Sequence, residues 1–208
     1  MKTDTAGKKA EKKEKIVEAA RKVFSKYGYN KTTLDDIGNI VGMKKNSLYH
    51  YFNSKEELFS YIINCEAESY FKYINEEINK GSSYKDRIQI FVKYGIRFGR
   101  ERLNLYNATV AARMEIFHLI ENFHKDFVNK QYDVMRRLLK EGVKKNEFVK
   151  HDSKNLAEDL MDMINSIEEH LFNTSSAKYF RDLNFNKIDK KISNLLNFIL
   201  KGLTLKSD

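Results

Sequence analysis

Between Gly42 and Glu56 the sequence MKKNSLYHYFNSK places ammonium, amide, hydroxyl and imidazole groups at nearly consecutive positions. Leu48 and Phe52 stand four residues apart, the spacing that puts two side chains on one packed helix face. Lys45, Asn46, Tyr49 and His50 then face outward. Lysine supplies salt-sensitive attraction to phosphate, and hydroxyl and imidazole groups donate to phosphate oxygens. Thr33, at the start of the preceding predicted helix, can hold a phosphate together with its exposed backbone amides. Lys55 opens the following helix in a similar position. This chemistry is recognition of a polyanion, with Tyr51 and Phe52 assigned to the core beneath it.

Groups for bond-making chemistry are not organised in the same way. The sequence has no phosphate-binding glycine loop, no Ser or Cys nucleophile in a recognisable setting and no paired-carboxylate motif, so the chain reads as a non-enzyme without a cofactor. His118 and His124 are six apart and do not share a helix face, and His151 and His170 are isolated; no metal site is expected. The middle of the chain is rich in aromatic residues. Phe91, Tyr94, Phe98, Tyr106, Phe117, Phe127 and Tyr132 are candidates to line a cavity for a flat or oily effector. Most such residues are ordinary core, and only some need face a ligand. Arg113, inside NATVAARMEIF, is a candidate anchor for a ligand carboxylate, although pairing with Glu115, Glu168 or Glu169 is the favoured reading.

The elements that must position these groups are helical. The chain has 208 residues with no Pro and nine Gly, a scarcity of breakers that favours long helices and short polar loops. Residues 1–11 read as a basic flexible arm. Ile16, Ala19, Ala20, Val23, Phe24 and Tyr27 mark one face of a first helix, with Gly28 at its C-terminal cap. Thr33 and Asp36 form a capping box for a second helix with Leu34, Ile37, Ile40 and Val41 as its buried face. Gly42 ends it, and a short third helix follows through KKNSLYHYF. Asn53 or Ser54 caps a long fourth helix from near Lys55 to about Lys80, with GSSYKD as a hinge. Beyond it run stripes from Ile88 to Phe98, Leu105 to Ile120, Phe123 to Leu139, Leu156 to Leu171, and Ile188, Ile192, Leu195, Ile199 and Leu203. No strand alternation is evident.

The segment IVEAARKVFSKYGYNKTTLDDIGNIVGMKKNSLYHYFNSKEELF resembles the DNA-binding domain of the tetracycline-repressor (TetR) family. The resemblance covers roughly residues 12–60. It rests on TT before the second helix, the Ile37-x-x-x-x-Gly42-Met43 turn, the LYHYF block and the SKEELF that follows. It implies that Thr33, Tyr49, His50 and Lys55 contact backbone phosphates, while Lys44, Lys45, Asn46 and Ser47 meet base edges or adjacent phosphates. It also implies that the last two long helices, about 154–173 and 187–204, pair with those of a second copy in a four-helix bundle. One departure bears on specificity. The family often has Ser-Lys-Gly-Thr where this chain has Lys44-Lys45-Asn46-Ser47. Lys44 removes a capping hydroxyl, and Asn46 adds a side chain able to read adenine, so an operator cannot be carried over from relatives.

The expected architecture is therefore all-α. It comprises a basic arm (1–11), an N-terminal three-helix helix-turn-helix domain (12–60) and a larger helical effector-binding and dimerisation domain (61–208). Charge agrees with this division. The net charge is +9, and residues 1–60 carry 13 basic against 8 acidic side chains, which concentrates the positive field near the N-terminus. The single Cys65 fits a reducing cytoplasm, and no apolar run spans a bilayer. The expected partners are double-stranded operator DNA, a second copy of the chain and a small hydrophobic or amphipathic effector, with no membrane. The expected function is a sequence-specific repressor released by that ligand. The alternative is an effector-independent DNA-binding protein, in nucleoid or division control, acting through a protein partner.

Overall fold

The computed structural model describes residues 2–106, 108–111, 113–119 and 121–205, and among these the side chains of all but 2–6, 45, 115, 117, 119 and 121–123. The elements in chain order are α1 (Lys2–Tyr27), α2 (Leu34–Val41), α3 (Lys45–Leu48), α4 (Lys55–Ile78), α5 (Tyr84–Leu105), α6 (Arg113–Leu119), α7 (Glu121–Lys144), α8 (Ser153–Thr174), a 3₁₀ turn (Phe180–Asp182) and α9 (Asn186–Leu203). The fold is all-α.

Helix α1 starts ten residues before the predicted position, so residues 2–11 are helical rather than a separate arm. Lys8, Lys9, Ala10 and Glu11, next to the predicted start, are strong helix formers that carry the helix outward. Glu11 and Lys15, four apart, also pair at 2.7 Å on the exposed face. At the other end Gly28 takes φ 81°, a left-handed conformation open to glycine, and its N–H closes on Phe24 O at 2.8 Å.

Ile16, Val17, Ala20, Val23 and Phe24 of α1 bury against Leu34 and Ile37 of α2, Leu48, Phe52, and Leu58, Phe59 and Ile62 of α4. Ile40 is 57% exposed, contrary to its predicted place in the core. On an eight-residue helix the inward arc is Leu34, Ile37, Gly38 and Val41, and Ile40 lies about 120° away from Leu34 at 100° per residue.

The second half of α4 enters another core. Tyr70, Ile74 and Ile78 pack with Ile88 and Phe91 of α5, Met135, Leu138 and Leu139 of α7, Leu160 and Ile164 of α8, and Ile192 and Leu200 of α9. Helix α4 is thus a single rod shared by two cores, and no break lets one half move without the other. The connector to α5 ends in a second capping box, Ser83 with Asp86.

Two predicted stripes are corrected. Leu105 to Ile120 is not one helix. α5 stops at Leu105 because Tyr106 turns into the first core, edge-on to Phe24 and Phe59. Ala108 and Val110 then bury against Phe180 and Leu183, with an isolated bridge between Thr109 and Tyr179. In α9 the inward residues are Ile188, Ile192, Leu196 and Leu200, whereas Leu195 is 38% exposed and Phe198 79%. That helix carries two apolar faces, and only one is used within the chain. No described helix is long and apolar enough to cross a membrane.

Candidate nucleic-acid interface and ligand cavity

The turn between α2 and α3 is built from local chemistry. Thr33 Oγ1 accepts from Asp36 N at 3.2 Å, and the Asp36 carboxylate accepts from Thr33 N at 2.8 Å. The Thr33 hydroxyl, donating to the carboxylate at 2.7 Å, and then the Thr33 N–H hold the Asp36 carboxyl below its ordinary range. Gly42 ends α2 at φ 67°, and Met43 N donates to Gly38 O at 2.9 Å. The α-helical part of α3 is only Lys45–Leu48, shorter than predicted. It continues as turns, with Tyr51 N and Phe52 N both donating to Leu48 O.

Leu48 and Phe52 are buried beneath this segment, as their spacing requires, while Lys44, Asn46, Tyr49 and His50 are exposed and Ser47 is half-buried. The Lys45 side chain lies outside the described residues. Thr33 is half committed, since its hydroxyl also donates to Asp36 at 2.7 Å. Lys55 is committed further: its Nζ donates to Tyr29 O at 3.1 Å and sits 4.1 Å from the centre of the Tyr29 ring. Tyr29 in turn donates to Glu56 at 2.8 Å. Burial, then Glu56, pushes the phenol up, so it remains a donor. Lys55 therefore fastens the loop after α1 to the start of α4.

A cavity of about 440 Å³ lies above this domain, between α5, α7 and α8. Phe59 and Ile63 of α4, Tyr106 and Ile116 reach it from the side of the helix-turn-helix core. Phe91, Phe98, Phe127 and Phe172 supply aromatic wall, and Gly95 and Gly99 face it one turn apart on α5. A Cβ built on Gly99 would meet nothing within 4 Å. Alanine at Gly99 would favour the helix by about 1 kcal/mol, so that glycine yields stability in favour of space, whereas a Cβ on Gly95 would stand 3.2 Å from the Tyr70 hydroxyl.

The polar wall comes from α5, α7 and α8. Arg100 Nε donates to Glu168 at 2.9 Å and Nη1 to Asp189 at 2.5 Å, and its guanidinium lies 3.9 Å over Phe185. Burial pushes the Glu168 carboxyl up despite Arg100, which pulls the other way. Burial pushes the His124 imidazole down, toward its neutral form.

Behind the cavity, Glu66 of α4 gathers three elements. Tyr106 donates to its Oε1 at 2.6 Å, Arg102 Nη1 lies 3.1 Å from Oε2, and Arg21 of α1 lies 3.9 Å from Oε1. Burial is the first cause, and the Glu66 carboxylate the next, that raises the Tyr106 phenol, which stays protonated and donating.

Residues 16–62 match the sequence model described as "Bacterial regulatory proteins, tetR family", the span holding α2, α3 and the cap of α4. The chain belongs to the TetR family. It is a DNA-binding transcriptional regulator and not an enzyme. The TetR-family chain is 29% identical over 201 residues to "Biofilm operon icaADBC HTH-type negative transcriptional regulator IcaR" of Staphylococcus aureus (strain Newman), covering 91% of this chain and 99% of that protein. The IcaR of Staphylococcus epidermidis is 26% identical with the same coverage. A transcriptional regulator from Cytophaga hutchinsonii superposes with TM-score 0.77 at 26% identity, over 91% of this chain and 97% of that one. A regulator from Saccharomonospora viridis solved in complex with choline shares the fold, with TM-score 0.67 and 16% identity over 95% and 100% of the two chains.

Of the predicted effector residues, Phe91, Phe98, Tyr106 and Phe127 meet around the cavity of this TetR-family member. Tyr94 points elsewhere, 3.4 Å from Glu77. Tyr132 donates to Asp162 at 2.5 Å in a separate polar groove. Arg113 is occupied by Glu169 at 2.6 Å, by Asn173 at 2.8 Å and by Val110 O at 3.2 Å. The Phe117 side chain lies outside the described residues. Sequence reasoning does not find Arg100, Arg102, Glu168, Gln131 or Glu66. Nothing local in RFGRERLNL marks its charges as cavity-lining, and the one available signal is the Gly95–Gly99 pair one turn apart.

Proposed function

We propose that this chain is a repressor that binds a palindromic operator as a homodimer and leaves it when a small, largely apolar ligand fills the α5–α7–α8 cavity. The observation that carries this reading is the cavity's position. Phe59, Ile63, Tyr106 and Ile116 belong both to its wall and to the helix-turn-helix core. A ligand that alters their packing acts directly on α4 and hence on the spacing of two recognition segments, which must match major grooves about 34–36 Å apart. It shifts that equilibrium only by its difference in affinity for the two conformations. The IcaR relatives are described as negative regulators, which favours repression. Homodimerisation is supported by the outward Leu195 and Phe198 of α9, because an apolar face left open on a core helix is a usual partner surface.

The DNA contacts are assigned to Thr33, Lys44, Lys45, Asn46, Ser47, Tyr49, His50 and Lys55. Tyr49→Phe and Lys55→Ala should weaken binding to all duplexes alike. Lys55→Ala should also lower the salt slope by about 1 per protomer. Unchanged affinity in both folded variants, measured by fluorescence anisotropy across salt, would remove the phosphate roles.

The decisive experiment is occupancy of the cavity. The neutral fluorophore N-phenyl-1-naphthylamine should bind the wild type with one site per chain. Gly99→Leu, whose side chain enters open space, should reduce that binding at least about tenfold while preserving binding to an operator selected from a random duplex pool. A wild type that binds operator but takes up no fluorophore would favour the effector-independent alternative.

A further inference from the structure

The polar groups on the cavity wall differ in how much of their bonding capacity is already used. Arg100 is paired with two carboxylates, Glu168 and Asp189, and lies over the Phe185 ring, although its Nη2 is buried without a hydrogen-bond partner. Glu169 is half exposed and held by Arg113. Glu168 has one oxygen on Arg100, and its burial favours the neutral acid over the anion.

Arg102 stands apart. Its ionic partners are Glu66 Oε2 at 3.1 Å from Nη1 and Glu101 at 4.0 Å from Nη2, and its guanidinium carbon lies 5.2 Å from the centre of the Phe98 ring. The 3.1 Å contact is not aligned as a hydrogen bond, since Glu66 Oε2 and Arg102 Nε are both buried without a hydrogen-bond partner. The side chain is 31% exposed and lines the cavity. It is a permanent cation with a planar fork of donors, on a cavity whose lining includes the rings of Phe91, Phe98, Phe127 and Phe172.

We propose that the ligand of this cavity is a monoanionic amphiphile, with an apolar body against the stacked Phe98 and Phe127 rings and a carboxylate-type head on Arg102. The proposal rests on the sensor reading given above and specifies the chemistry of the same site. A carboxylate matches the guanidinium fork in a bidentate manner, which Glu66 does not achieve from its place on α4. Arg100 faces Glu168 at 2.8 Å and Asp189 at 2.5 Å, which leaves Arg102 as the main attraction for an anion on that wall. The head draws Arg102 away from Glu66 and leaves Glu66 to Arg21 and Tyr106. Binding thereby moves an ionic contact from the α4–α5 joint toward the α4–α1 joint, inside the DNA-binding domain.

The test displaces N-phenyl-1-naphthylamine from the full chain with dodecanoate, dodecanol and dodecylamine, each below its micellar concentration. Dodecanoate should compete about tenfold or more better than dodecanol, the range expected for hydrogen bonds to a charged group. Arg102→Gln should bring that ratio to within about threefold, each competitor being read against the variant's own fluorophore affinity. Arg102→Lys, which keeps the charge and loses the fork, should retain only part of it, and decides the matter if Arg102→Gln fails to fold. Equal competition by dodecanol, preference for dodecylamine, or a carboxylate advantage that survives in both variants overturns the proposal and leaves the sensor reading standing. Failure of the wild type to bind the fluorophore overturns both.

Discussion

Gly38→Ala should reduce operator affinity by about 100-fold or more while leaving the protein largely helical. Alanine is the better helix former by about 1 kcal/mol, so a reading confined to α2 predicts stabilisation. The tertiary contact decides otherwise. A Cβ on Gly38 would stand 2.7 Å from Met43 O and 3.1 Å from Leu48 Cδ1. The first neighbour is backbone of the turn itself, held by the Met43 N to Gly38 O bond at 2.9 Å, so it cannot rotate aside. Relief requires α3 to move away from α2. Overpacking of this kind costs about 1–3 kcal/mol of stability, and the loss in binding is larger because both copies of the recognition segment shift. Every base pair that the displaced segment no longer reads weakens discrimination by about 1–3 kcal/mol. Anisotropy on the selected operator, with far-ultraviolet circular dichroism as the fold control, measures both parts. Wild-type affinity in Gly38→Ala would mean that α3 does not set the DNA-facing surface.

Gly38 also shows where sequence reasoning ends. The caps are legible because each is a local event: Thr33 with Asp36, Gly42 in the left-handed region, and Ser54 accepting from Glu57 N at 3.1 Å all follow from side chains within four positions. Helix existence is legible for the same reason. Facing is less so. Ile40 reads as inward because an apolar residue on a short helix offers little periodicity to test it, and in α9 the stripe through Leu195 cannot be told by spacing from the inward Ile188, Ile192, Leu196 and Leu200, because the helix carries two apolar faces. The break at Tyr106 is hidden, since its cause is a cluster with Phe24 and Phe59, residues more than 40 positions away.

Aromatic composition points to a cavity in the middle helices, and four of the eight named residues line it. Arg102 and Glu66 are invisible individually. Each is one charge among many in the sequence, and only the fold brings them within 3.1 Å and buries the carboxylate.

The second large effect is expected at that carboxylate. Glu66 is 7% exposed, and Glu66→Ala leaves Arg21, Arg102 and the Tyr106 hydroxyl facing one another without an acceptor. Removing one member of a buried ion pair destabilises by about 3–5 kcal/mol. Arg21 and Arg102 remain 40% and 31% exposed, so water offsets part of this, and about 2–4 kcal/mol is expected. Tyr106→Phe removes only the 2.6 Å hydrogen bond and keeps the ring against Phe24 and Phe59, so about 1–2 kcal/mol is expected. Glu66→Gln separates charge from hydrogen bonding, because its amide oxygen still accepts from Tyr106. Urea unfolding of the three variants should therefore rank Glu66→Ala as least stable. A cost below about 0.5 kcal/mol for Glu66→Ala, the scale of an ordinary surface substitution, would show that the seam is solvated in solution. A full cost has a functional consequence. The only buried carboxylate at the joint of α1, α4 and α5 is then a contact on which DNA-binding domain and cavity both depend among the described residues, and a ligand that engages Arg102 competes for part of that free energy.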